Sequence, residues 1–81
     1  METFIDVIDA WPTLGDFAED AGVSSGAAKQ MRRRDSIDPA YWEGVVAGAE
    51  KRHIEGVSLD QLARIAAARK RRQAVSEGAD G

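Results

Sequence analysis

Apolar residues in this chain recur at intervals of three and four, from Phe4, Ile5 and Ile8 through to Leu59, Leu62, Ile65 and Ala66. No stretch alternates at period two for long enough to make a strand. Such spacing puts one apolar stripe on each of a series of helices. The fold class it predicts is all-α, a compact five-helix domain. At 81 residues the chain holds one core, because a domain of this size hides only about 60% of its unfolded surface. There is no cysteine, which fits a reducing compartment and leaves packing alone to hold the fold.

Capping residues divide the pattern into pieces. Helix one carries Phe4, Ile5, Ile8 and Trp11 and must stop by Trp11, since Pro12 disfavours the α conformation in the residue before it. Thr13 caps helix two, with Asp16 three residues later as in a capping box, and the helix runs from about Leu14 to Ala21. Gly22 then suits the left-handed conformation that closes a helix. Ser24 or Ser25 caps helix three, which has Ala27, Ala28 and Met31 on one side and extends to about Arg33. Asp38 followed by Pro39 reads as an N-cap with proline at the first helical position. Helix four follows, burying Tyr41, Trp42, Val45, Val46 and Ala49. Its Gly44 and Gly48 each cost ~1 kcal/mol against alanine, so something is expected to cross closely there. Ser58 and Gln61 form a full capping box for helix five, which carries Leu59, Leu62, Ile65 and Ala66 and ends near Arg72. The domain thus spans 1–72. The last nine residues, QAVSEGADG, have little to bury and are expected to be a disordered tail, 73–81.

Net charge, −3, does not by itself suggest a polyanionic partner. Its distribution does. Residues 1–28 hold six acids and no Lys or Arg, after which Lys29, Arg32, Arg33 and Arg34 arrive together. A second basic block is Arg64, Arg69, Lys70, Arg71 and Arg72. Segregated charge lets a molecule that is negative overall present a positive face. The second block fits equally well as a helix end complementing the dipole.

Around Gly22 the small and apolar residues keep a fixed register. Phe17 lies five before it, Ala18 four before and Ala21 one before; Val23 is one after, Ala28 six after and Met31 nine after. Two helices joined by a short turn need a small residue at the Ala18 position, where a long side chain would strike the next helix. This register resembles the helix-turn-helix of phage-type Cro and repressor proteins, which have the lambda repressor-like fold. The segment SIDPAYWEGVVAGAEKRHIEGVSLDQLARI also resembles the second half of small Cro-like regulators, so that the likeness covers about residues 3–72. It implies a helix-turn-helix formed by helices two and three and a function as a sequence-specific double-stranded DNA-binding regulator. A repressor needs only to occupy its site, and no cofactor or small-molecule ligand is implied. Gly26 and two alanines depart from the pattern, standing where larger polar residues often read bases.

Directions on helix three follow from about 100° per residue. With Ser25 at zero, Lys29, Arg33, Gly26 and Gln30 lie within an arc of about 140°, Arg32 sits at its edge, and Ala27, Ala28 and Met31 face the other way. A cationic, polar face of this kind fits the major groove. Gln30 can pair with adenine, Lys29 can reach guanine or phosphate, and Ser25 is short enough to need the helix very close. Gly26 either permits that approach or is a tolerated glycine near a helix start. Thr13 is a phosphate contact or only a cap. The expected DNA-binding set is Thr13, Ser24, Ser25, Gly26, Lys29, Gln30, Arg32, Arg33 and Arg34. Asp6, Asp9, Glu19 and Asp20 are expected to face away from DNA. One unit reads too few base pairs for useful specificity, so a homodimer on a palindromic site is expected. Leu59, Leu62, Ile65 and Ala66 are its candidate interface, or else ordinary packing on helix four.

Other classes fare worse. An enzyme or a metal centre needs more than one His and scattered carboxylates, so no catalytic residue and no metal ligand are expected. His53, near the end of helix four, serves the dipole or the loop. Trp11, Tyr41 and Trp42 could stack on single-stranded bases, but their helical spacing is that of core residues. The remaining rival is a helix-turn-helix-derived interaction module, antitoxin-like or contacting a polymerase. Its exposed face would be apolar or mixed, whereas this one carries Lys29, Gln30 and Arg33. No apolar run approaches the ~20 residues of a membrane span, and the N-terminus lacks a basic start before its apolar residues. The expected location is the cytoplasm, at the nucleoid.

Overall fold

The structure, a computed structural model, describes the backbone of residues 1–80 and the side chains of residues 1–72. It is all-helical: α1 (Phe4–Ile8), α2 (Leu14–Ala21), α3 (Ser25–Arg34), a single 3₁₀ turn (Pro39–Tyr41), α4 (Trp42–Lys51) and α5 (Leu59–Asp80), with no strand among the described residues. The backbone of α5 runs on to Asp80, past the expected helix end near Arg72 and through most of the segment expected to be a disordered tail; the side chains of 73–80 and residue 81 lie outside the described residues.

Local chemistry explains the boundaries. α1 opens with a complete capping box that the sequence reading overlooked: Thr3 accepts from the Asp6 amide and Asp6 from the Thr3 amide. The helix proper ends at Ile8, and turn bonds from Ala10 to Val7 and Trp11 to Ile8 carry the chain to Pro12. Thr13 caps α2 through the Asp16 amide at 3.0 Å. Gly22 ends α2 with φ 76°, as its position predicts. Ser24, rather than Ser25, caps α3 by accepting from the Ala27 amide at 3.1 Å.

Two expectations need correction. Asp38 and Pro39 do not open α4 directly. Asp38 Oδ1 accepts from the Ala40 amide at 2.9 Å and caps a tight 3₁₀ turn, which Trp42 secures by donating its indole N–H to the Ile37 carbonyl at 2.8 Å. Tyr41, Trp42 and Val46 consequently lie half-buried at the margin of the core. The box at α5 is also only half made. Ser58 accepts from the Gln61 amide at 3.1 Å, but the Gln61 amide group donates to the Met1 carbonyl instead of turning back to Ser58.

The core gathers around α2, which packs on α4 along one side and on α3 along the other. Phe17 is fully buried and meets Trp11 edge-to-face at 5.2 Å between ring centres, an arrangement favoured by the ring quadrupoles. Val7, Ile8, Val45 and Leu62 belong to the same buried cluster, as does Ile37 from the connector after α3. Removing such a buried aromatic side chain costs about 3–5 kcal/mol. Ala18, Ala21 and Ala28 are buried, and Val23 and Met31 pack against them. The register counted from Gly22 is therefore a core register.

Gly44 and Gly48 mark a close helix crossing, as expected. A Cβ on Gly44 would stand 3.0 Å from the Asp20 carbonyl, and one on Gly48 only 2.6 Å from the Asp20 side chain. The absent side chains let α2 and α4 approach. Asp20 uses that approach: its Oδ2 accepts from Trp11 Nε1 at 2.8 Å and from Arg52 Nε at 2.6 Å.

Candidate nucleic-acid interface

Packing of α3 on its alanine side leaves the opposite side open to solvent. Ser25, Gly26, Lys29, Gln30 and Arg33 are all exposed. Among the described residues the side chains of Lys29, Gln30 and Arg33 have no hydrogen-bond or ion-pair partner. Together with Gly26, Arg32 and, from the first turn of α2, Leu14, they line an open groove. Three cationic groups, Arg32 among them, and one amide that both donates and accepts thus converge on a single concave surface. Leu14 was not among the expected site residues; an apolar residue in a first helical turn carries no signal of its own for a polar groove.

Gly26 sits in open space. The nearest atom to a Cβ built there is Ser24 Oγ at 3.9 Å, so nothing within the protein requires a glycine. Ser24 and Thr13 are exposed, and both hydroxyls accept from backbone amides. Each still has an O–H to donate outward. The cap role and a phosphate role are compatible at both positions.

The three arginines at the end of α3 have separate surroundings. Arg33 belongs to the open face. Arg32 turns toward α1, where its Nε and Nη2 grip Asp9 Oδ1 and Oδ2 at 2.8 and 2.9 Å. This fork is paired with an acid, while Arg32 still lines the same groove as Lys29, Gln30 and Arg33. Both partners are about half exposed, so solvent screens the pair and it adds little to stability. It also holds the Asp9 carboxyl below its ordinary range, the Arg32 hydrogen bond being the main cause. Arg34 is exposed, and its carbonyl accepts from Arg69 Nη2 at 3.3 Å. All three lie in the last helical turn, where cations complement the dipole.

The acids have structural tasks, and Asp9, expected to face away from DNA, instead borders the groove through Arg32 and shares a hollow with Thr13 and Leu14. Asp6 accepts the amides at the start of α1, chiefly that of Glu2, which lowers its pKa. Asp20 is lowered first by Arg52 and then by Trp11. Its side chain is 9% exposed, making this the most enclosed ion pair of the described residues. The partner Arg52 was invisible to spacing, since it lies 32 positions away. Of the four candidate interface residues, Leu62 and Ile65 are buried in the chain's own core, Ala66 is half-buried and Leu59 is 48% exposed. The packing alternative accounts for Leu62 and Ile65.

His53 closes α4 in the left-handed region, with φ 59°, and is exposed. Trp11 is core, and both indole N–H groups are already bonded within the chain. Among the described residues no helix is long and apolar enough to cross a membrane. The chain matches no protein-family model, no curated protein and no solved structure.

Proposed function

We propose that this chain is a sequence-specific double-stranded DNA-binding regulator that lays α3 in the major groove and represses by occupying a palindromic operator as a dimer. The observation that carries this reading is the open face of α3. Among the described residues Lys29, Gln30 and Arg33 stand there unpaired beside a glycine backbone and the first turn of α2. Gln30, in mid-helix, has the bidentate amide that suits adenine, while Lys29 and Arg33 suit guanine or phosphate. Gly26 keeps the helix surface low, so Ser25 can come within reach of a base edge. Such a protein works at the nucleoid, in the cytoplasm.

Dimerisation follows from the limited reach of one α3, which spans too few base pairs to single out a site. With Leu62 and Ile65 inside the core, a contact through α5 would centre on Leu59 and its exposed neighbours. Sedimentation of the free protein and of its DNA complex checks this, and a monomer in both would exclude the dimer.

Retention on DNA cellulose at low salt, with elution as salt rises, tests the central reading, because each phosphate contact releases counterions. Mapping bound sites across the genome would then return the operator and its symmetry. Failure to bind duplex DNA would move the reading to a protein-interaction module using the same helix face.

A further inference from the structure

The two basic blocks, far apart in sequence, meet in the fold. Arg69 on α5 donates to the Arg34 carbonyl at the C-terminal end of α3 at 3.3 Å. Arg69 and Lys70 also border a cleft whose other wall includes Ser36 and Pro39, the segment that leaves α3. Arg69 and Lys70 of the second block therefore lie beside the segment that ends the proposed reading helix.

The helical register of α5 gives this block a direction. Leu62, Ile65, Arg69 and Arg72 fall within an arc of about 80°. The first two are buried in the core and the last is exposed. The stripe that faces the protein body thus changes from apolar to cationic where α5 passes α3. Ordinary dipole complementation does not require this arc, since the helix backbone continues to Asp80 and Arg69 and Arg72 are not in its last turn.

On the reading that α3 occupies the major groove, we propose that Arg69 and Arg72 form a second contact, gripping the phosphate strand that borders the groove at the end of α3. The dimensions agree. Ten residues of α3 make a helix about 15 Å long, and the groove is ~12 Å wide, so what lies just beyond the helix end meets the sugar–phosphate wall. Guanidinium groups suit that wall, offering planar forks to phosphate oxygens. Asp38, the acid bordering the same cleft, has its Oδ1 engaged by the Ala40 amide.

The experiment titrates the full chain against sheared duplex DNA of mixed sequence at several salt concentrations, with Arg33→Ala, Arg72→Gln and the double variant Arg69→Gln/Arg72→Gln. The slope of log affinity against log salt is expected to fall by about one unit for Arg33→Ala and for Arg72→Gln, and by about two for the double variant. Arg72→Lys, which keeps the charge, restores the slope. Arg72 is exposed, so its effect does not pass through folding, and unchanged thermal melts check that. If Arg33→Ala flattens the slope and neither α5 variant does, the second contact is wrong and the α3 reading stands. If the unaltered chain fails to bind duplex at low salt, the reading on which the contact rests falls with it.

Discussion

The carboxylate of Asp20 on α2 occupies the space that a methyl group on Gly48 of α4 would need, with 2.6 Å between Oδ2 and a Cβ built there. The clash involves the Cβ and Cγ of Asp20 as well, and the carboxylate is fixed by Trp11 and Arg52. Alanine at Gly48 gains up to about 1 kcal/mol of helix propensity but must push two helices apart or break the ion pair. A net loss of about 2 kcal/mol is expected, or roughly 10 °C in melting temperature for a domain of this size. Gly44→Ala, facing a backbone carbonyl at 3.0 Å, should lose less. A melting temperature equal to or above that of the parent protein for Gly48→Ala would mean that the crossing can open freely.

Acid should weaken the same crossing. Hydrogen bonds from Arg52 and Trp11 lower the Asp20 pKa in the folded state, so its contribution is present at all pH above the unfolded value of about 3.9. It is lost as pH falls through the lower folded value. Asp9 and Asp6 shift in the same direction, but they lie at exposed sites and add less. Urea unfolding between neutral pH and pH 2 should show stability falling on the acid side. Asp20→Asn should lower the neutral plateau by about 2 kcal/mol, as for a hydrogen bond to a charged group, and flatten the acid limb. An acid limb as steep as before would assign that loss to other carboxylates.

Gly26→Ala separates two explanations of one glycine. With nothing within 3.9 Å of the added carbon, the fold should tolerate it or gain up to about 1 kcal/mol. If α3 must bring its backbone against base edges, the same methyl group should reduce operator affinity about tenfold or more. A melt and a binding isotherm on one preparation decide the matter. Higher stability with undiminished binding would make Gly26 a tolerated helix residue and nothing more.

Reading and gripping should also come apart. Gln30→Ala is expected to cost ~1–3 kcal/mol on the operator and almost nothing on unrelated DNA. Arg33→Ala should weaken both alike. Arg32→Ala, although next in sequence, should act mainly through α1, with a small loss of stability, and change the salt slope less than Arg33→Ala does. Parallel titrations of the three variants against operator and scrambled duplexes compare them directly. A Gln30→Ala variant that loses both affinities equally would contradict the docking proposed for α3.

Local signals made most of the helices legible, and distance hid the rest. Thr13, Gly22 and Ser58 act within a few positions of themselves, so their caps could be read directly, and the glycines of α4 announced a crossing without naming what crosses. Ile37 is fully buried but sits alone between Ser36 and Asp38, where one apolar residue has no period to display. Asp38 and Pro39 have the chemistry of a helix start, yet the indole of Trp42 bonds to the Ile37 carbonyl and tightens the first turn. The open face of α3 followed from geometry because Lys29, Gln30 and Arg33 depend only on the turn of their own helix. Arg32 lay at the edge of that arc, and what diverts it is Asp9, 23 positions earlier. Pairings of that kind are properties of the packed chain.

The hydrogen bond from the Ile5 amide to Asp35 Oδ1, 3.0 Å long and 30 positions apart in sequence, gives the molecule a built-in reporter. An amide in the first turn of a helix has no partner within that helix, and a helix as short as α1 does not persist by itself in water. The Ile5 hydrogen can therefore exchange with deuterated solvent only when the start of α1 and the end of α3 separate. Its exchange rate measures how often they part. A ligand that immobilises α3 should slow exchange at Ile5 without touching α1, and the slowing can be followed at a single backbone position.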